Sequence, residues 1–190
     1  MNGDAVNDAV NRDQVTRLRG AFVDLRPLRE EDLPARLQMV NDRAVQMLYI
    51  GAPADTNTEF DMQNWFHALQ EDPYSEQWAI ETKDGKYIGD IDFHSINVIK
   101  GEAWISPMIG DLTFVESPAY RREAIWLIAS HAFERHGVER LNIDIPSTDQ
   151  QGIAVLKELG FEVIEETDFD FIHDVKTVTL QVTPQTLKQP

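Results

Sequence analysis

Residues 122–145 read REAIWLIASHAFERHGVERLNIDI, and the change of period inside this stretch decides the fold class. Across residues 118–136 the apolar side chains Ala124, Ile125, Leu127, Ile128, Ala132 and Phe133 recur at helical spacing and form one broad face. Gly137 stands where a left-handed C-terminal cap belongs. The following LNIDI then reads as a buried strand. A long amphipathic helix handing over to such a strand points to a sheet with helices packed against it.

Working outward towards the C-terminus, residues 149–159 (DQQGIAVLKEL) predict a short helix closed by Gly160. Residues 161–164 and 175–182 predict strands that form a terminal hairpin. Towards the N-terminus, residues 77–82 and 86–94 flank Asp84-Gly85, a strong hairpin signal. Residues 102–110 predict a third strand, with Pro107 at a bulge or an unpaired edge because it has no N–H for a ladder. Residues 22–28 (FVDLRPL) alternate as a first strand. Leu33, Leu37, Val40 and Ala44 continue at helical spacing until Gly51 and Pro53, and a second helix runs through Trp65, Phe66 and Leu69. The predicted order is β-α-α-β-β-β-α-β-α-β-β: one mixed α/β sheet of about seven strands with about four helices. Residues 1–18 read as a polar tail, 19–183 as a single domain and 184–190 as a C-terminal tail.

The chain has 190 residues, enough for one self-sufficient core. It contains no cysteine, which excludes disulfides, thiolate zinc sites and a cysteine nucleophile. Its net charge of −16 repels phosphate backbones and anionic lipid, so neither nucleic acid nor a membrane is an expected partner, while a cationic or amine-bearing ligand would be attracted. Solubility alone also accounts for such a charge. No apolar run reaches the ~20 residues of a membrane span, and the N-terminus lacks the order of a secretion signal. A cytoplasmic protein is the expectation.

The stretches LRPLREEDL (25–33), YIGDIDFHSIN (87–97), residues 122–145, IAVLKELGFE (153–162) and HDVKTVTLQV (173–182) stand in an order and at spacings that matter together. In that order they resemble the GNAT acetyltransferases, and especially the branch that acetylates ribosomal-protein N-termini. The resemblance covers about residues 22–182 and implies a single acyl-CoA N-acyltransferase domain that uses acetyl-CoA. It places pantetheine beside Ile109 and Gly110. The coenzyme A pyrophosphate falls on the loop and helix start carrying Ser117, Ala119, Tyr120, Arg121 and Arg122, with Asp149 on the following helix. An exposed helix N-terminus supplies free amides to such an anion. The glycine pattern expected there is altered. Ala119 and Arg121 replace small residues, Pro118 removes one amide donor and Glu116 adds a negative charge. Arg121 either blocks the pyrophosphate or binds it by side chain.

For a base that takes the amine's proton, the candidates are Asp90, Asp92 and His94, which alternate along one face of a strand with Ile91 and Phe93 on the other. His173-Asp174 is a second such pair. The tyrosine that many relatives use as an acid aligns with Leu156, so that role is empty. Neither HExxH nor a calcium-loop pattern occurs, so no metal site is expected. Trp65, Phe66, Trp78 and Trp104 line an acceptor pocket or belong to the core. The two functional readings are an N-acyltransferase acting on an amine-bearing small molecule or peptide, and a GNAT-shaped binding protein without activity. A homodimer through the last strands is left open by the residues.

Overall fold

The chain enters the sheet earlier than its hydrophobic pattern suggests. In the computed structural model, which describes residues 17–167 and 175–190, strand β1 (Leu18–Arg19) pairs antiparallel with β2 (Val23–Pro27). The predicted polar tail therefore falls outside the described residues over 1–16 but joins the sheet at Leu18. The intervening turn is held from below by Glu123. Its carboxylate accepts the N–H groups of Ala21, Phe22 and Val23 at 2.6, 2.6 and 2.7 Å.

Helix α1 (Leu33–Asn41) stops where the apolar spacing had run on, and α2 (Arg43–Tyr49) starts afresh. The cause is Asp42. Its backbone is extended, and its carboxylate caps α2 by accepting from Ala44 N at 2.7 Å and Val45 N at 3.2 Å. Helix α3 (Glu59–Glu71) opens on a reciprocal capping box between Thr58 and Asp61. Strands β3 (Glu76–Thr82) and β4 (Tyr87–Asn97) turn back on each other around Asp84-Gly85, and β5 (Glu102–Ile109) follows. Then come α4 (Pro118–Arg135), β6 (Arg140–Pro146), α5 (Gln150–Glu158), β7 (Glu162–Thr167) and β8 (Thr177–Val182).

The sheet order is β1-β2-β3-β4-β5-β6-β8-β7. Every neighbouring pair is antiparallel except β5 with β6. The described residues thus hold eight strands and five α-helices, slightly more than the pattern predicted, because β1 is short and the first helix is broken.

Helix α4 covers one face of the sheet. Ile91 and Phe93 of β4, both fully buried, lie on that side with Ile125, Ile128 and Ala132 of the helix. Each of these isoleucine and phenylalanine side chains contributes roughly 1.5–3 kcal/mol by leaving water. The opposite face of β4 carries Asp90, Asp92 and His94 and receives α1, whose Arg36 reaches Asp90 at 3.0 Å. The C-terminal residues are tied down as well: Lys188 N–H donates to Leu159 O at 2.9 Å, and Leu187 packs on the core.

Candidate active site

The parallel pair positions the site. Strands β5 and β6 are in register only at Glu102, Ala103 and Trp104, opposite Arg140, Leu141 and Asn142. Beyond that point the two strands lose each other, and a wedge opens between residues 105–109 and 143–146. Pro107 explains why the ladder cannot resume. Ile109 directs its N–H into the opening, so Pro107, two residues earlier, has its nitrogen on the same side and nothing to donate. At the end of β5, Gly110 N–H and Asp111 N–H both donate to Ile88 O, at 2.9 and 3.1 Å, which is a bulge. Gly110 is required there: a Cβ would collide with the Met39 side chain of α1.

Two side chains meet in the wedge from opposite faces of the sheet. Tyr49, the last residue of α2, accepts the Ile109 N–H at its hydroxyl oxygen at 2.9 Å. Arg121, in the first turns of α4, lies with its guanidinium carbon 5.2 Å from the Tyr49 ring centroid. Burial pushes the Tyr49 phenol up, against the positive charge of Arg121, so the hydroxyl keeps its proton. No sequence signal marked this tyrosine, because its partner is a backbone amide.

Arg121 and Asp149 form a buried ion pair, 8% and 5% exposed. Asp149 also caps α5, its carboxylate accepting Gly152 N–H at 2.8 Å. Gly152 has to be glycine, because a Cβ would strike both the Arg121 guanidinium and the Asp149 carboxylate. The negative charge of Asp149 is therefore compensated inside the fold, and Arg121 is committed to it.

The N-terminus of α4 is open. Ser117 makes no side-chain cap hydrogen bond and Pro118 occupies the first turn without an N–H. This leaves the Ala119 and Tyr120 amides as the helix's free donors. Arg122, about one-third exposed at its side chain, lies beside them and reaches Glu158 at 3.2 Å. Ala119 and Arg122 also line a cavity of about 340 Å³ with Arg19, Phe22 and Trp126. The uncapped amides and the Arg122 guanidinium are donors of the kind an anion takes.

On β4 the three candidates separate. Asp90 is consumed by the fold: its carboxylate accepts from Arg36 Nε at 3.0 Å, Gln77 Nε2 at 2.8 Å and Tyr87 Oη at 2.7 Å. Asp92 is different. Burial, with the Asp90 charge adding to it, pushes its carboxyl up to about 7. One of its oxygens, Oδ1, is buried without a hydrogen-bond partner. His94 stands one pair further on, its Nε2 3.2 Å from Ser106 Oγ and its Nδ1 3.0 Å from Ser95 Oγ. Burial pushes this imidazole down, against the charges of Asp72 and Asp144. Ser106 and Trp104 lie opposite Asp92 and His94 on the same face. Trp78 belongs to the core, and Trp65 stacks under Arg36 at 3.6 Å. Leu156 is fully buried, so no acid stands at that position. His173 and Asp174 lie outside the described residues.

The arrangement defines the class first: an α/β domain whose sheet parts between its two parallel strands beside an open helix N-terminus. A family model, the acetyltransferase (GNAT) domain, matches residues 23–162, and the chain belongs to that family. Solved structures agree on the fold. Spermidine N-acetyltransferase from Vibrio cholerae, in complex with CoA and spermine, superposes with a TM-score of 0.75 at 14% identity, covering 88% of this chain and 98% of its own. RimL, a ribosomal L7/L12 alpha-N-protein acetyltransferase in complex with coenzyme A, gives 0.75 at 15% identity, covering 88% and 97%. RimJ from Mycobacterium smegmatis gives 0.73 at 17%, covering 88% and 84%. No curated protein sequence matches the chain. Among the described residues no helix is long and apolar enough to cross a membrane.

Proposed function

We propose that the protein is an acyl-CoA-dependent N-acyltransferase that places an acetyl group on a primary amine by direct attack. The observation that carries this is the parting of β5 and β6 beyond Trp104, with the uncapped N-terminus of α4 and the Asp92 carboxyl, pushed up to about 7, as its supports. The acceptor is a cationic small molecule or a protein N-terminus, as for the polyamine and ribosomal-protein acetyltransferases that share the fold.

When bound, acetyl-CoA supplies an activated acyl carbon and a thiolate leaving group. The amides of Ala119 and Tyr120, with Ser117 and Arg122 beside them, hold the pyrophosphate. Ile109 and Gly110 border the pantetheine. Arg121 and Asp149 act as a positioning pair that fixes the start of α4 against α5. The ammonium group of the acceptor is drawn by Asp72 and Asp144, past His94 and Trp104. Asp92 takes the proton that the attacking nitrogen must lose. The Tyr49 hydroxyl, accepting from Ile109 N–H, retains its own proton for the departing sulfur, the role that Leu156 cannot fill.

Thiol release from acetyl-CoA, followed over a panel of polyamines, diamines and N-terminal peptides, tests this directly. Turnover is expected with at least one of them. Tyr49→Phe is expected to lower kcat about 10²-fold while changing the acceptor KM little, the pattern of a group used in the transition state. An unchanged kcat removes Tyr49 from the chemistry. Absence of thiol release across the panel contradicts the transferase reading and favours a binding protein.

A further inference from the structure

The far end of α4 carries a second cluster, about 20 Å along the helix from its N-terminus at ~1.5 Å per residue, unconnected with the wedge. Glu76, the first residue of β3, receives two histidines from the last turn of α4 and just beyond it. His131 Nε2 lies 3.1 Å from Glu76 Oε2, His136 Nε2 lies 3.2 Å from Glu76 Oε1, and the two Nε2 atoms are 3.4 Å apart. All three side chains are at least nine-tenths enclosed, at 10%, 5% and 8% exposure.

Both imidazoles turn the same ring nitrogen towards the same point, one on each oxygen of a single carboxylate. A tetrahedral zinc ion holds nitrogen and oxygen donors at about 2.0–2.1 Å, which sets neighbouring donors about 3.3 Å apart. The two nitrogens stand 3.4 Å apart, close to that spacing, and one ligand atom from each of Glu76, His131 and His136 lies within 4.8 Å of the other two. The donors are also held from outside. Trp78 Nε1–H donates to Glu76 Oε2 at 3.0 Å, the Trp78 ring meets His131 edge-on at 5.2 Å, and Phe93 packs on His136 at 5.1 Å. Such surrounding contacts fix the orientation of metal ligands.

We propose that Glu76, His131 and His136 form a zinc-binding site, completed by one water, that ties the start of β3 to the C-terminal end of α4. The sequence hid it because the histidines are five apart rather than four, with the second one past the helix end, and the third ligand lies 55 residues upstream. Its position makes the metal a structural tie with no part in acyl transfer, and the proposal stands whether or not the transferase reading does.

The test uses full-length protein stripped with a chelator, then titrated with zinc chloride and separately with cobalt chloride. One equivalent of zinc is expected to bind, raising Tm by about 5–10 °C once free zinc exceeds its Kd about a hundredfold. Cobalt is expected to give the intense visible bands of a tetrahedral N/O site. His136→Gln, which keeps a polar residue at the helix end, is expected to weaken zinc by more than the ~10–100-fold typical of losing an outer-shell partner. Magnesium is expected to produce no shift. Absence of a zinc equivalent, a weak octahedral cobalt spectrum, or undiminished zinc binding by His136→Gln each overturns the proposal, the last by placing the metal elsewhere.

Discussion

Replacing Asp92 by asparagine is expected to make the protein more stable and inactive at the same time. The carboxyl is pushed up to about 7 by burial and by the neighbouring Asp90, against a normal value of 3.8, and Oδ1 has no partner. The folded chain therefore keeps a proton that the unfolded chain releases. Stability from this group is undiminished below pH ~4, falls as pH rises from ~4 to ~7, and stays at its lower value above that. A displacement of about three pKa units sets the upper limit of the effect near 4 kcal/mol. An amide at this position carries no such cost, so Asp92→Asn is expected to gain about 2–4 kcal/mol at pH 8 and almost nothing at pH 4, measured by urea unfolding. Activity moves the other way. In the wild type, kcat/KM is expected to rise about tenfold per pH unit towards pH ~7 and level off, while the variant loses about 10²–10⁴-fold. A variant that is less stable at pH 8, or that turns over normally, removes Asp92 from the proposed role.

The second large effect is structural. Asp149→Ala is expected to cost about 3–5 kcal/mol, because it strands the Arg121 guanidinium in a buried site. Loss of the α5 cap adds about 1 kcal/mol. Together these correspond to a fall in Tm of about 10–20 °C for a domain of this size. Replacing both partners, Arg121→Met with Asp149→Asn, removes the charges together and keeps a capping side chain. That double variant is expected to recover most of the loss, a strongly non-additive result. If Asp149→Ala costs less than ~1 kcal/mol, the pair does not brace α4 against α5, and Arg121 is free to meet a ligand.

Much of the architecture could be read in advance because it is written in local chemistry. Asp84-Gly85 made the β3–β4 hairpin legible, and the apolar face through Ile125 and Ile128 with Gly137 behind it made α4 legible. Features set by a single residue's backbone were not. Asp42 breaks the first helix by adopting an extended conformation, although Val40 and Ala44 keep the helical spacing. Leu18-Arg19 is too short to show alternation, and the turn after it is held through the Glu123 carboxylate, a hundred residues away. The site divides the same way. Asp92 and His94 were placed by strand alternation, and that alternation also put Asp90 beside them. Only the structure shows that Arg36, Gln77 and Tyr87 use up Asp90 while Asp92 Oδ1 has no partner. The Arg121–Asp149 pair, Tyr49 on the Ile109 amide and the Glu76–His131–His136 cluster all join residues distant in sequence. Spacing along the chain carries no trace of them.

The wedge and the open end of α4 together are proposed as a working acyl-CoA site, and the roles given to Asp92, Tyr49 and the amine acceptor depend on it. Calorimetric titration of the purified protein with acetyl-CoA tests this most directly. Binding at micromolar strength to one site per chain is expected, weakened when Arg122 is replaced by alanine. No heat and no thermal stabilisation at millimolar acetyl-CoA would contradict it.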